Sequence, residues 1–331
     1  MKLSILDQSP IAEGKSAQDA LQASIELAQK ADELGYTRYW MAEHHDMTGL
    51  ACPAPDMMLS AIGSSTRRIR IGAGAVLLPH YRPFNIAERY NLLATLYPGR
   101  IDLGIGRAPG GSAEVTMALS ENFLENVRKM PQKLQQLLQF LYDDFPKDNM
   151  FSKISPSPVP LTSPQPWVLG TSEKSAQMAA EKGLPYTFGH FMSSADGPTI
   201  VKEYSKKVKN NPSIEKPIVA VSAICAETTE EAEKLALSSQ LWSVLGTKAG
   251  ENGGIPTIQH AQDYPYTAED LKTVQKQKKA SVVGNPQQVK QQLEQLQVTY
   301  GVDEFMLLTI THDYEARLRS YELIAEEILN K

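Results

Sequence analysis

The stretch WMAEHHDM, Trp40 to Met47, sets a carboxylate and two adjacent histidines at the end of a short apolar run. Such groups serve metal ligation, proton transfer, or hydrogen bonding inside a core. On an extended backbone Glu43 and His45 share one face and His44 points to the other, so the three do not converge on one ion without a distant ligand. The chain has no HExxH pairing, the arrangement by which a helix offers two imidazoles to zinc. His44 alone suits an acid/base role, because an unperturbed imidazole titrates near pH ~6.5. A hydrogen-bonded structural histidine is the competing expectation.

Other residues suit an anion. In RIDLGIGRAPGG, glycines 104, 106, 110 and 111 surround Arg107; they remove side-chain bulk, and the guanidinium offers a planar fork of donors. Pro109 stands where a dinucleotide fingerprint needs glycine, so the run is not that fingerprint. In WVLGTSEKSAQMAAEKG, Thr171, Ser172 and Ser175 fall where a strand gives way to a helix. Free helical N–H groups and hydroxyls there can receive a phosphate. Plain N-capping by Ser172 uses the same groups. In IGAGAVLLPHYRP, Gly72 and Gly74 interrupt an apolar strand, which signals tight packing, a bulge, or backbone approaching a flat ligand.

These residues need elements to position them. KLSILDQS, TRYWMAEHH, RIRIGAGAVLLP and RIDLGIG read as strands. The segments between them read as helices, the first with Ser16 as N-cap and Gly35 just past its end. A helical stretch from Glu114 to Tyr142 and a Pro/Ser-rich surface excursion, SKISPSPVPLTSPQP, precede WVLG, LPYTFGHF, KPIVAVSAIC and VDEFMLL. Strict alternation implies parallel strands with right-handed crossovers. Eight strand candidates predict a closed (β/α)8 TIM barrel, one domain over residues 1–331. Residues 246–280 lack strand periodicity and form a long insertion before strand eight, with the character of a mobile lid.

A barrel carries its site at the C-terminal ends of its strands. Those ends hold Asp7 and Ser9, Glu43 to Asp46, Gly72 to Ala75, Arg107, Thr171 and Ser172, His190, and Thr309 to His312. In the 331 residues, 42% hydrophobic and 21% charged, no apolar run reaches a membrane span. The first apolar patch meets Asp7 too early for a signal-peptide core. A net charge of -5, spread along the chain, argues against a nucleic-acid partner, and the basic run Lys272 to Ala280 reads as a solvated helix face. Cys52 and Cys225 match no zinc or redox spacing, which fits a reducing cytoplasm and no metal.

The combination of AEHH, IGAGAVLLPHYRP, PGRIDLGIGRAPGG and LGTSEKSAQMAAEKGLP, with SVVGNPQQVKQQLEQL and GVDEFMLL near the end, resembles the bacterial luciferase-like family of flavin-dependent monooxygenases. The likeness is close over strands one to five, thin over residues 115–160, and returns near the C-terminus. It implies FMN at the strand C-termini, reduced by a separate flavin reductase, with O2 as oxidant and a small organic substrate. A related branch uses the deazaflavin F420, and members often form homodimers. By the same resemblance His44 is the catalytic histidine beside the flavin ring. Arg107, Ser172 and Ser175 hold the phosphate with the backbone near Thr171, and a non-proline cis peptide at Gly74 and Ala75 lies under the ring.

The light-emitting members carry a cysteine where this chain has Gly106, a glutamate at Thr171 and a tryptophan at His190. Those departures argue against light emission and put His190 in the substrate pocket. The lid would shield the chemistry from water, with Lys272 to Lys279 ordering over the phosphate. A non-catalytic flavin-binding barrel and a metal-assisted barrel hydrolase are the readings from other classes.

Overall fold

The computed structural model describes residues 1–248 and 253–329. Its first crossover shows how the repeat is built. β1 (Lys2–Asp7) leads into α1 (Ala17–Leu34), where Ser16 and Asp19 form a reciprocal capping box. Gly35 closes the helix at φ 85°, a left-handed conformation that a Cβ would disfavour. β2 (Arg38–Met41), α2 (Pro55–Ser65), β3 (Arg70–Leu77), α3 (Pro83–Leu96) and β4 (Ile101–Gly106) repeat the unit. Pro55 and Pro83 sit in first turns, where a missing N–H costs nothing.

Next come α4 (Ala113–Leu119), α5 (Phe123–Arg128), α6 (Met130–Tyr142), β5 (Gln165–Gly170), α7 (Glu173–Glu181), β6 (Tyr186–Gly189) and α8 (Gly197–Val208). The chain continues through β7 (Ile218–Cys225), α9 (Thr229–Leu245), α10 (Ile258–Asp263), α11 (Ala268–Ala280), β8 (Ser281–Gly284), α12 (Pro286–Tyr300), β9 (Glu304–Leu308) and α13 (Tyr314–Ile328). Strands β1 to β7 and β9 close an eight-stranded parallel barrel, because β6 pairs with β7 and β9 pairs with both β7 and β1. The fold is the expected TIM barrel.

The structure departs from the expected elements in four places. The predicted helix from Glu114 to Tyr142 is three helices, broken at Ser120 to Asn122 and again at Lys129, just ahead of Pro131. The second strand stops at Met41, and the backbone of AEHH pairs outside the regular ladder: His44 N–H donates to the Cys52 carbonyl at 3.0 Å and His45 N–H to the Gly110 carbonyl at 2.8 Å. SVVG, not anticipated as a strand, is β8, which extends the sheet beside Ser222 to Cys225 of β7. Four residues are too few to show alternation. Finally, the insertion holds two helices, α10 and α11. Residues 249–252 of the expected lid, and 330 and 331 of the single domain, lie outside the described residues.

The barrel is plugged at its N-terminal end. Arg38 Nη1 donates to Asp102 Oδ2 at 2.9 Å and Arg38 Nε to Glu304 Oε1 at 3.0 Å, and Arg70 Nη2 meets Asp102 Oδ1 at 2.5 Å. These buried charges are mutually paired, the condition under which burial is tolerated. Above them Trp40 and Trp167 pack edge to face at 5.5 Å between ring centroids, with Leu6 and Met306 in the same cluster. The opposite end, where the strands finish, is open among the described residues.

Candidate active site

At the C-terminal ends of the strands lies a cavity of about 430 Å³, within the range of small-molecule sites. Its walls include Leu6, His44, Ala75, Arg107, Thr171 and Ser172, one or two from each of the first five strand ends.

Glu43 explains how His44 reaches it. The Glu43 carboxylate is buried: Oε1 lies 2.9 Å from His45 Nε2 and accepts from the Tyr81 hydroxyl at 2.7 Å, while Oε2 accepts from Leu77 N–H at 3.1 Å. It is a structural anchor. With Glu43 and His45 tied to each other, the His44 side chain between them is left to the cavity. Its Nδ1 is buried without a hydrogen-bond partner among the described residues. Burial, helped by the neighbouring His45, lowers the His44 pKa to about 4, so the ring is neutral near pH 7. Gly110 completes the turn at φ 75°; a Cβ there would come within 2.2 Å of Leu77 Cδ1.

The peptide between Gly74 and Ala75 is cis. The β3–β4 register shifts between Ala73 and Val76, a bulge that presents Ala75 to the cavity. Gly72 is a packing glycine instead, since a Cβ would meet Asp102 Cβ at 2.7 Å.

At the other end of the cavity Arg107 Nη2 donates to Ser172 Oγ at 3.4 Å, joining the loops that follow β4 and β5. Ser172 does cap α7, through a capping box with Ser175, and it also faces the cavity; the two readings are compatible. Ser175 Oγ is 3.0 Å from the Tyr186 hydroxyl. Arg107, the Ser172 hydroxyl and the first amides of α7 therefore lie together at this end of the cavity, a set of donors suited to a phosphate.

Several strand-end residues do not join them. Asp7 is buried against Arg317 at 2.5 Å, Ser9 N–H at 2.8 Å and the Tyr39 hydroxyl. Ser9 Oγ pairs with Ser24 Oγ at 2.8 Å, Thr309 Oγ1 donates to the Ala223 carbonyl at 2.7 Å, and His312 Nε2 lies 3.0 Å from the Glu13 carbonyl. His190 is not on the wall of this cavity. It opens a short 3-10 turn, His190–Met192, which brings its Nδ1 to 2.7 Å from the Tyr300 hydroxyl, and Phe191 and Met192 line the cavity instead.

Gln8 was overlooked, although strand alternation could have found it: Leu6 and Gln8 face inward where Asp7 and Ser9 face out. Phe123, Leu124 and Val127 of α5 also line the cavity. Their only signal is the helix break at Ser120 to Asn122. Lys272, Lys276, Lys278 and Lys279 are exposed on α11 and line neither the cavity nor the phosphate end. Among the described residues no group of three or more His, Cys, Asp or Glu could hold a metal, both cysteines are free and buried, and no helix is long and apolar enough to cross a membrane.

Comparison with known proteins bears on the family and the fold. The model of the luciferase-like monooxygenase family matches residues 1–304. The chain is 42% identical over 329 residues to the uncharacterized protein YceB of Bacillus subtilis (strain 168), with 99% of each chain covered. It is 35% identical over 332 residues to N-acetyl-S-alkylcysteine monooxygenase of the same organism, covering 99% of this chain and 98% of that one. Among solved structures, apo-MsnO8 has a TM-score of 0.89 at 34% identity, covering 100% of this chain and 99% of the other.

Proposed function

This chain belongs to the luciferase-like monooxygenase family, and on that premise we propose that it binds reduced FMN in the barrel-mouth cavity and uses O2 to oxygenate a small organic substrate. A separate flavin reductase supplies the reduced cofactor. The observation that carries the reading is the Arg107–Ser172 contact, which brings the phosphate-type donors of two loops onto the same cavity as His44.

The residues present fit the cofactor. Arg107, Ser172, Ser175 and the first amides of α7 would hold the phosphate, with the Thr171 backbone beside them. The backbone at Gly74 and Ala75 offers a flat wall to the ring. Leu6, Leu169 and Met306 exclude water. When bound, reduced flavin supplies the electrons that activate O2. His44 holds a neutral imidazole whose unpartnered Nδ1 can take or give a proton as charge develops beside it. The described residues of the 246–280 insertion, Gly246, Thr247, Gly253 and Gln277 among them, act as the cover on the far side of His44, and the chain works in the cytoplasm as a homodimer.

One observation favours F420 as the second reading. A depression lined by Arg128, Lys174 and Lys182 shares Arg107 and Ser175 with the main cavity and continues outward from the phosphate end. A cofactor with a longer anionic tail would use it.

Titration with FMN, riboflavin and F420, read by flavin or deazaflavin fluorescence, separates these readings: FMN binding far more tightly than riboflavin, and at least as tightly as F420, supports FMN. Reductase-supplied FMNH2 under ¹⁸O2, with a panel of small thioethers chosen because a relative is named for N-acetyl-S-alkylcysteine, then tests turnover. Labelled oxygen in a product supports the monooxygenase; flavin binding with no labelled product across the panel favours the non-catalytic flavin protein.

A further inference from the structure

Behind His44 lies a second chamber of about 400 Å³. Gln8, His44 and Phe191 line both it and the first cavity, so the two meet at the imidazole. We propose that this chamber holds the organic substrate, and that the substrate is an uncharged molecule with an apolar part and at least one N–H or O–H donor. The proposal rests on the flavin occupying the first cavity.

The chemistry of the walls carries the argument. Leu50, Leu308, Ile310 and Trp242 supply apolar surface. The polar wall is made of neutral groups, and over the Ser239 to Ser281 side of it the hydroxyl protons are already engaged. Ser243 Oγ donates to Gln277 Oε1 at 3.0 Å, Gln277 Nε2 to Ser239 Oγ at 3.3 Å, Ser281 Oγ to the Gln277 carbonyl at 2.8 Å, and Thr247 Oγ1 to the Val244 carbonyl at 2.7 Å. What remains on those hydroxyls is mainly lone pairs, which accept from a ligand, while Gln8, Ser222 and Trp242 add only neutral groups to the lining.

No lysine or arginine lines the chamber among the described residues. Lys248, at its edge, is committed elsewhere, with Nζ 2.5 Å from the Tyr264 hydroxyl and 3.3 Å from Asp270 Oδ2. His44 is neutral near pH 7. A carboxylate entering here would lose its hydration without gaining a cation, which strongly disfavours it. A free N-acetyl-S-alkylcysteine, a carboxylate at neutral pH, is therefore the wrong charge for this chamber, and its ester or amide is the right one.

The probes are N-acetyl-S-benzylcysteine methyl ester and the corresponding acid, titrated into the whole protein without flavin. Tryptophan fluorescence reads the chamber, since Trp242 lines it whereas Trp40 and Trp167 are sealed in the barrel interior. Saturable quenching is expected with the ester binding at least about tenfold tighter than the acid, with the quenching lost in Trp242→Phe. Ser243→Lys, or Gln277→Lys should the first fail to fold, is expected to reverse the preference. FMN affinity is measured in parallel on every variant.

The acid binding as tightly as the ester, no saturable binding of either at millimolar concentration, or quenching that survives Trp242→Phe would each overturn the proposal while FMN binding stands. Failure to bind FMN overturns the cofactor reading instead, and leaves the ester–acid comparison to judge the chamber's charge preference.

Discussion

His45 Nε2 and Glu43 Oε1 lie 2.9 Å apart, and this pairing aims His44, the residue between them, into the cavity. The polar residue most visible beside the histidines is thus not a reacting group. It is a clamp on β3 and its following turn through Leu77 N–H and the Tyr81 hydroxyl.

Glu43→Ala removes the acceptor from these partners together. With donors stranded in a buried site, the expected loss is roughly 3 kcal/mol or more, at ~1–3 kcal/mol for each unsatisfied group. Urea unfolding at neutral pH measures it. A loss below 1 kcal/mol would show that the loop re-pairs with water.

The His44 pKa of about 4 makes a prediction with a definite sign. The unfolded chain takes up a proton near pH ~6.5 while the folded protein does not. The stability that depends on a neutral His44 is therefore whole above that value and falls as pH drops from there toward 4. At ~1.4 kcal/mol per pH unit the term amounts to roughly 3 kcal/mol at most. His44→Asn should flatten this part of the stability–pH curve, measured as the difference in unfolding free energy between pH 7 and 4.5. An unchanged slope would mean that the imidazole is hydrated.

Arg107→Ala is expected to weaken FMN by about 1.5–3 kcal/mol, the range for a charge-assisted hydrogen bond, and to leave riboflavin, which lacks the phosphate, unchanged. Ser172→Ala should weaken FMN less but also lower stability by about 1 kcal/mol through loss of the α7 cap. Fluorescence titration of both flavins on both variants checks the pair. Equal losses for FMN and riboflavin would move the phosphate elsewhere.

Asp7 and Arg317 form a buried pair at 2.5 Å. Burial raises the Asp7 pKa, but Arg317 and the hydrogen bonds around it overcome that and hold it below the usual 3.8. Its contribution is complete above that value and fades only in stronger acid. Arg317→Leu leaves an uncompensated buried carboxylate and is expected to cost about 3–5 kcal/mol. Adding Asp7→Ala should recover part of the loss in thermal unfolding; a double variant less stable than the single would refute the pairing account.

How much of this could be read beforehand follows from the range of each signal. Ser16, Gly35 and the alternation of apolar runs with amphipathic helices act within a turn or two of chain, and they led to the barrel. The family resemblance named Arg107, Ser172, Ser175 and His44, which the structure brings to one cavity. The His190 side chain is off the cavity wall because a single tight turn directs it to Tyr300, which lies 110 residues away. Asp7 and Glu43 looked like site residues because a polar side chain at a strand end reads the same whether its partner is Arg317, Tyr81 or a ligand.

Local periodicity and capping were enough to specify eight parallel strands and the rim on which any site must stand, because those signals are written within a few residues. Folding alone assigned the charges: it gave Asp7 and Glu43 partners remote in the chain, left His44 Nδ1 without one among the described residues, and built a wall of neutral hydroxyls behind it. Whether a polar group is spent on the protein or free for a ligand depends on neighbours brought together through space, and no window of sequence contains them.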